Sequence, residues 1–183
     1  MEKQADFEEE HGFGKGRGES KKLAVIMRGV PGSGKSTLLN LLPEAQSFST
    51  DNKHIDEDGQ YRFKADQLHE FHTQNLAEFT KAAEQGIALI ACDNTNLFKR
   101  LYAPYVDAAR SNGYTVWAVT FIPKDLAYHK QRNVHDVPEE TLSRMIQSFE
   151  PEAVGVDENF TGEDASELAS TVAQAVKTFF GSN

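Results

Sequence analysis

A phosphate-binding loop is the clearest chemical signal in this sequence. Residues 29–37 read Gly-Val-Pro-Gly-Ser-Gly-Lys-Ser-Thr, which fits the pattern G-x-x-x-x-G-K-[ST] without a gap. Glycines at these positions let backbone N–H groups face phosphate oxygens, where a Cβ would clash or force a disallowed φ. The sequence therefore predicts a site for a nucleoside triphosphate.

The loop side chains have separate predicted tasks. Lys35 reaches the β- and γ-phosphates, Ser36 offers its hydroxyl to Mg²⁺, and Thr37 lies nearest the α-phosphate. ATP is the expected nucleotide, because the chain has no guanine-reading N/T-K-x-D element. The predicted nucleotide-binding residues are Gly32, Ser33, Gly34, Lys35, Ser36 and Thr37.

Two acidic residues end other predicted strands. Asp51 closes the stretch 46–51, and Asp93 closes the apolar run 87–92. The carboxyl ends of parallel strands form the ligand-binding edge of an open sheet, so we expect both carboxylates beside the loop. An acid at the tip of a buried strand can hold Mg²⁺ opposite Ser36, which makes Asp93 a candidate metal ligand.

The elements that must position these residues alternate along the chain. Short apolar runs predict four strands, at 23–27, 46–51, 87–93 and 114–122. Periodic patterns predict helices at about 36–42, 65–85, 99–112, 125–133, 139–149 and 163–180. This alternation is typical of an α/β three-layer sandwich with a mainly parallel sheet.

Length and charge narrow the function classes. The chain has 183 residues, enough for one domain, and a formal net charge of −9 from 28 acidic and 19 basic residues. Residues 1–10 hold five acids and one base, and residues 150–183 hold seven acids and one base, which leaves a nearly neutral centre. A neutral centre argues against a protein that coats long nucleic acid, so any polynucleotide contact should be short.

Cellular location and domain limits are expectations from composition. Cys92 is the single cysteine, and no apolar run is long enough for a membrane span or a signal peptide, so we expect a cytoplasmic protein without membrane contact. Residues 1–20 are predicted to be a disordered tail, with an RNA-contacting arm as the alternative. The domain is expected at 21–183, with a core at 23–149 and an acidic helical segment at 150–183; the acidic ends could bind a protein partner.

Four motifs together resemble a known kinase branch. They are Gly29–Thr37, Ser49-Thr50-Asp51, Ile90–Asn96, and Gln131-Arg132-Asn133 with Val137-Pro138. In this order they are similar to the polynucleotide 5′-hydroxyl kinase branch of P-loop kinases, which includes AAA-type ATP-binding proteins, the Nedd4-binding-protein-2-like group and phage polynucleotide kinase. The resemblance spans residues 23 to about 149 and implies a P-loop NTPase sandwich with a helical lid.

The resemblance also implies roles on the transferring side of the site. Asp51 takes the place of the general base, Lys35 is retained, and Arg132 is the candidate lid arginine that contacts the transferring phosphate. Plainer interpretations remain open: Asp51 could be a helix cap, and Arg132 could belong to a solvated basic helix face.

The acceptor side departs from the family in two places. The D-T-N element that helps to bind the acceptor is found within residues 93–96, so Asn94 and Asn96 are predicted acceptor residues. If the D-T-N element is aligned on Thr95-Asn96, its usual acid becomes Asn94 and Asp93 lies one residue earlier. The phage enzyme has an arginine three residues after its general base, and this chain has His54 there. Arg100 is a further candidate for the acceptor groove, or is merely exposed.

Three functions follow from these observations. The first is an Mg-ATP-dependent kinase that phosphorylates the 5′-hydroxyl end of RNA or DNA. The second is a small-molecule kinase for a nucleoside, sugar, antibiotic or toxin-like acceptor. The third is a non-catalytic ATP-binding regulatory module. Neither the D-x-D-x-T signature of a phosphatase nor a pair of H-x-[ST] motifs accompanies the loop.

Overall fold

A five-stranded parallel sheet lies at the centre of the computed structural model, which describes residues 20–182. In chain order the strands are β1 (Leu23–Arg28), β2 (Gln46–Phe48), β3 (Leu89–Asp93), β4 (Thr115–Phe121) and β5 (Glu158–Gly162). Their spatial order is β2-β3-β1-β4-β5, so β1 pairs with β3 on one side and with β4 on the other. The carboxyl ends of β1 and β3 are in register, with Met27 opposite Asp93.

Within residues 20–182, six α-helices connect and cover the strands. They are α1 (Lys35–Leu41), α2 (Leu68–Glu84), α3 (Lys99–Ser111), α4 (Leu126–Gln131), α5 (Glu139–Ser148) and α6 (Ala165–Gly181). Short 3₁₀ turns at Asp51–His54 and Ala65–Gln67 precede α2. All six predicted helices are present, with ends shifted by a few residues, as is usual at fraying termini.

Two apolar layers hold the helices on opposite faces of the sheet. Alternate residues of β1 point to opposite faces, so Val25 and Met27 pack with α1 and α6, whereas Ala24 and Ile26 pack with α2 and α3. All six residues of β1 are buried. The predicted three-layer α/β sandwich is therefore confirmed.

The C-terminal segment differs from its prediction. Residues 150–183 were expected to be helical, but Glu158–Gly162 form β5 and extend the sheet beside β4. The strand was missed because it lies at the sheet edge, with most of its residues exposed or half-buried, and so lacks an apolar run.

Some predictions concern residues that the structure does not describe. The expected N-terminal tail, residues 1–20, lies outside the described residues except for Ser20. Among residues 20–182, no helix is both long enough and apolar enough to cross a membrane.

Candidate active site

The predicted phosphate loop joins the carboxyl end of β1 to the start of α1. Gly32 and Gly34 have φ values of 74° and 96°, which L side chains rarely adopt. The amide of Gly29 donates to the carbonyl oxygen of Thr95, 2.9 Å away, and so fastens the loop to the residues after β3. The turn that the glycine pattern predicts is therefore present, and its shape requires glycine.

Two helices lie directly against this loop. A Cβ built on Gly32 would lie 3.0 Å from the Cβ of Arg132, at the end of α4. A Cβ built on Gly34 would lie 2.5 Å from the Cβ of Ala165, at the start of α6. The loop is thus enclosed by elements distant in sequence, and its glycines provide room for them as well as for a ligand.

His129 joins α4 to the phosphate loop through one ring nitrogen and to the segment before α4 through the other. Its Nε2 accepts from the backbone N–H of Lys124 at 2.9 Å, so the neutral ring carries its proton on Nδ1. Nδ1 then donates to the carbonyl oxygen of Pro31, 3.2 Å away. Burial lowers the pKa of His129, although hydrogen bonds to the loop oppose this effect. The neutral imidazole is therefore the form that fits this position.

Lys35 is half-buried within the loop. Its Nζ donates to the carbonyl oxygen of Gly29 at 2.9 Å. Desolvation lowers the pKa of Lys35, whereas the charges of Asp93 and then Asp51 oppose this shift. Both carboxylates are thus close enough to Lys35 to stabilise its charge, as expected for strand ends at one edge of the sheet.

The two carboxylates differ in their surroundings. Asp93 is half-buried, and desolvation raises its pKa, while the charge of Lys35 lowers it and that of Asp51 raises it. Asp51 is exposed and begins the 3₁₀ turn, whose N-cap is Thr50 rather than Asp51. The helix-cap interpretation of Asp51 is therefore wrong, and its carboxylate faces solvent near Lys35 and Asp93.

The predicted magnesium ligands have suitable chemistry. Ser36 is exposed on the first turn of α1 and offers a hydroxyl oxygen, and Asp93 offers a carboxylate. Mg²⁺ in proteins is commonly held by one or two such oxygen ligands together with phosphate oxygens and water. Desolvation by burial raises the pKa of Asp93, and a bound divalent cation would favour its charged form. These residues fit the ion, and their role as ligands stays a prediction.

The two asparagines predicted for the acceptor are engaged within the protein. Asn94 accepts from the backbone N–H of Thr50 at 2.9 Å and donates to the hydroxyl of Tyr105 at 3.3 Å. Asn96 is buried, and its side chain donates to the carbonyl oxygen of Met27 at 2.7 Å. Asn94 therefore joins the end of β2 to that of β3, which positions Asp51, and direct contact of either asparagine with an acceptor stays a prediction.

The remaining predicted residues lie at different depths. His54 is only 1% exposed, and the rings of Phe63 and Phe71 lie at centroid distances of 5.0 Å and 4.9 Å from it. Arg100 is exposed at the start of α3, with its guanidinium over the ring of Phe98. His54 does not occupy the solvent-facing position of an arginine, whereas Arg100 is accessible to a ligand.

Arg132, the candidate lid arginine, lies beside the phosphate loop, and its role stays a prediction. It is exposed at the end of α4, directly beside Gly32 of the phosphate loop. Its guanidinium carbon lies 5.0 Å from the centre of the Tyr128 ring, and Nζ of Lys124 lies 4.5 Å from the same centre. The basic-face alternative stays open, but α4 brings this cation to the phosphates' side of the site.

The burial of Arg28 and the contact between Tyr61 and His135 were missed from the sequence. Arg28, the last residue of β1, is fully buried and donates to the carbonyl oxygens of Asn96, Leu97 and Glu150. Tyr61 and His135 stack with their ring centres 4.3 Å apart. The arginine directly before the loop was a usable signal, because charge at a buried strand end needs an explanation, whereas the aromatic pair had none.

Comparisons with known proteins agree on the family and the fold. A family model described as an AAA domain matches residues 25–152. NEDD4-binding protein 2 of Homo sapiens is 36% identical over 140 residues, which cover 70% of this chain and 8% of that protein. This chain thus spans less than a tenth of the length of that relative.

Solved structures with the same fold have low sequence identity. A putative kinase from Chloroflexus aurantiacus has a TM-score of 0.67 at 14% identity, covering 90% of this chain and 99% of the other. The Mycobacterium tuberculosis APS kinase CysC, in complex with AMPPNP and APS, has a TM-score of 0.59 at 17% identity, covering 86% and 98%. At these identities the likeness shows the fold alone.

Proposed function

The chain belongs to the AAA domain family whose model matches residues 25–152, and on this basis we propose that it is an Mg-ATP-dependent kinase. It moves the γ-phosphoryl group of ATP to a hydroxyl, and the acceptor that we favour is the 5′-hydroxyl end of RNA or DNA. The observation that carries the proposal is the meeting of Lys35, Asp93 and Asp51 at one edge of the sheet, each within electrostatic reach of the others.

The proposed step uses this arrangement directly. Asp51 takes the proton of the acceptor hydroxyl as its oxygen bonds to the γ-phosphorus, and the bond from that phosphorus to the β–γ bridging oxygen breaks, releasing ADP. Lys35 and Arg132 stabilise the negative charge on the transferring group. Mg²⁺, when held by Ser36 and Asp93, supplies further charge neutralisation at the phosphates. Exposure of Asp51 supports its role, because an acceptor can reach it from solvent.

The preference for a nucleic-acid end rests on the order of the acceptor motifs. The elements at 49–51 and 93–96 match the polynucleotide kinase branch, and the related NEDD4-binding protein 2 shares 36% identity over 140 residues. The sequence carries no feature of a long polynucleotide-binding surface, so the contact is expected to involve only a terminal nucleotide or a few. We also propose a cytoplasmic location, supported by the single cysteine of the chain, which allows no internal disulfide.

A small hydroxyl compound is the second candidate acceptor. The observation that favours it is His54, which is buried where the phage enzyme has an arginine for the acceptor's 3′-phosphate. Because that cation is missing here, the site does not favour an acceptor with a 3′-phosphate over one without it. The APS kinase with the same fold was solved in complex with APS, which supports this second candidate.

Transfer of labelled γ-phosphate from Mg-ATP tests the proposal. Short 5′-hydroxyl RNA and DNA oligonucleotides are compared with nucleosides and sugars as acceptors, using wild-type protein, Lys35→Ala, Asp51→Asn and the control Asp66→Asn. Asp66 is an exposed acid on the neighbouring 3₁₀ turn. We expect 5′-end labelling that falls by about 10²–10⁴-fold in Asp51→Asn and is unchanged in the control.

Three other outcomes have distinct meanings. Labelling of small compounds alone would replace the nucleic-acid acceptor with the second candidate. Labelling that is unaffected by Asp51→Asn would overturn the assigned base. Nucleotide binding that depends on Lys35, with no transfer to any acceptor, would contradict the kinase and leave the regulatory ATP-binding module.

A further inference from the structure

Two aromatic rings from separate segments of the chain stack on each other. Tyr61 belongs to the segment after the 3₁₀ turn at Asp51–His54, and His135 lies between α4 and α5. Their ring centres are 4.3 Å apart and their planes are inclined by 35°. The proposed transfer step uses neither ring, so their stacked contact needs a separate explanation.

Tyr61 is held in place by its own segment. It forms an antiparallel bridge with Ile55, and the backbone N–H of Arg62 donates to the carbonyl oxygen of His54 at 2.8 Å. The backbone N–H of Lys64 donates to Nδ1 of His54 at 3.1 Å. The ring of Tyr61 therefore sits on a folded loop that is fixed from within, and an ordered ring loses little entropy when a ligand packs on it.

Large apolar side chains near this pair are left in solvent. Phe63 is 58% exposed on the Tyr61 segment, and Val134 is 83% exposed beside His135. Ile55, the bridge partner of Tyr61, is 46% exposed. Both segments thus present apolar surface next to the stacked rings, as is common where a ligand supplies the missing contact.

The rings also lie near the proposed general base. His54 is three residues after Asp51 in the same 3₁₀ turn, and its ring centre is 5.8 Å from that of Tyr61. Burial raises the pKa of Tyr61, and the charge of Asp51 adds to this shift. A molecule bound against Tyr61 can therefore place a hydroxyl near Asp51.

One buried polar atom beside the rings has no protein partner. Since Nδ1 of His54 accepts from Lys64, the neutral ring carries its proton on Nε2. This buried N–H has no hydrogen-bond partner among residues 20–182. A buried donor without an acceptor is unfavourable, and a ligand oxygen or ring nitrogen would satisfy it.

We propose that Tyr61 and His135 form a stacking site for the nucleobase of the acceptor's 5′-terminal nucleotide. This inference rests on the proposed function and names the part of the acceptor that the site recognises. Flat ring faces, apolar neighbours and a single unpartnered N–H suit a nucleobase, whereas a sugar would demand many hydrogen-bonding groups. Stacking is tolerant of sequence, so all four bases are accepted.

Binding of a fluorescent base tests the stacking directly. An oligonucleotide with 2-aminopurine at its 5′-hydroxyl end is titrated with the full chain, beside a matched oligonucleotide whose 5′-terminal residue is abasic. We expect the fluorescence to be quenched on binding, and the abasic oligonucleotide to bind about 5- to 100-fold more weakly. Equal binding of the two oligonucleotides, or no binding of either, would overturn the proposal.

Variants locate the stacking at the named rings. Tyr61→Ala should lose the quench and the preference for a base over the abasic residue, whereas Tyr61→Phe, which keeps the ring, should retain both. His135→Ala, which removes the ring on the other segment, should weaken the preference for a base over the abasic residue. If Tyr61→Ala does not fold, the wild-type comparison and the His135 variant still decide the matter. An unchanged preference for the base in His135→Ala, or no quench with the wild type, contradicts the proposal.

Two further outcomes of the experiment separate this inference from the proposed function. Phosphoryl transfer at equal rates to base-containing and abasic ends would keep the kinase and remove the stacking site. Quenching that depends on Tyr61, without transfer to any acceptor, would keep the stacking site and remove the kinase. Free 2-aminopurine riboside, titrated in parallel, distinguishes a nucleoside acceptor from a polynucleotide end, since only the latter gains affinity from the following nucleotides.

Discussion

Ala165 packs so closely on Gly34 that a Cβ added to the glycine would lie 2.5 Å from the alanine Cβ. Gly34 is the residue before α1 in the phosphate loop, and Ala165 is the first residue of α6, 131 positions later in the chain. The side chain of Asp164 accepts from the backbone N–H of Glu167 at 2.8 Å and so caps this helix. The C-terminal helix therefore forms one wall of the loop, and the acidic end of the chain is part of the functional core.

Gly34→Ala should destabilise the protein and abolish nucleotide binding. The new Cβ meets another Cβ that cannot move aside, and the φ of 96° is unfavourable for alanine. We expect a loss of about 2–5 kcal/mol in the free energy of unfolding, measured by urea denaturation. Gly59→Ala is the matched control, because Gly59 has a φ of 78° with nothing within 4 Å, and it should cost only about 1–2 kcal/mol. Equal losses would show that the contact with Ala165 is unimportant.

Replacement of Arg28 even by lysine should destabilise the protein. Its guanidinium donates to three carbonyl oxygens and to the hydroxyl of Thr120, and a single ammonium cannot reach this set. We expect Arg28→Lys to lower the free energy of unfolding by about 2–4 kcal/mol, because buried acceptors lose their donors. The exposed Arg110, 3.1 Å from Asp157, provides the control, and Arg110→Lys should change stability by less than about 1 kcal/mol. The measurement is urea denaturation, and comparable midpoints for Arg28→Lys and Arg110→Lys would contradict this account.

Stability should fall as the pH is lowered through the range in which histidine titrates. The pKa of His129 is lowered by burial, so below an unfolded pKa of about 6.5 the unfolded chain binds more protons than the folded one. The contribution of neutral His129 is fully present above about pH 6.5 and decreases below it. Burial also lowers the pKa values of His54 and His72, which act in the same direction.

Thermal unfolding between about pH 5.5 and pH 7.5 measures this effect. His129→Gln keeps a donor and an acceptor but does not titrate, so its melting temperature should depend less steeply on pH than that of the wild type. Asp93, whose pKa is raised by burial, acts in the opposite sense at lower pH, so the comparison is restricted to this window. Identical slopes for the two proteins would rule out His129 as a source of the dependence.

Arg132→Ala should lower kcat far more than nucleotide affinity. A cation that stabilises the transferring phosphoryl group acts mainly in the transition state, and such arginines contribute about 10³–10⁵-fold in rate. Lys130, exposed on the same helix and 2.5 Å from Glu139, is the control, and Lys130→Ala should leave kcat nearly unchanged. If both substitutions have similarly small effects on phosphoryl transfer, Arg132 does not stabilise the transferring group and belongs to the solvated basic face of α4.

Much of the fold and of the nucleotide side of the site was predictable from local pattern. The loop at residues 29–37 is defined by glycines and by Lys35 within a few positions. Buried parallel strands such as β1 and β3 read as short apolar runs, and the rule that their carboxyl ends share an edge was enough to bring Asp51 and Asp93 toward the loop.

The parts of the fold and of the site that the sequence did not predict depend on contacts between distant residues. β5 is an edge strand whose mostly exposed or half-buried residues have no apolar pattern, so only its pairing with β4 reveals it. The amide groups of Asn94 and Asn96 hold Thr50 and Met27, which no local pattern indicates, and contact of either asparagine with an acceptor stays a prediction.

The sequence by itself determined the loop, the layers of the fold and the chemistry of the strand ends, because each depends on neighbouring residues or on a short periodicity. Only the tertiary structure decided which side chains support that chemistry. Arg28 gathers carbonyl groups from two other segments, and Tyr61 meets His135 across 74 residues. Such contacts depend on how separate elements pack, and no spacing within one element encodes them.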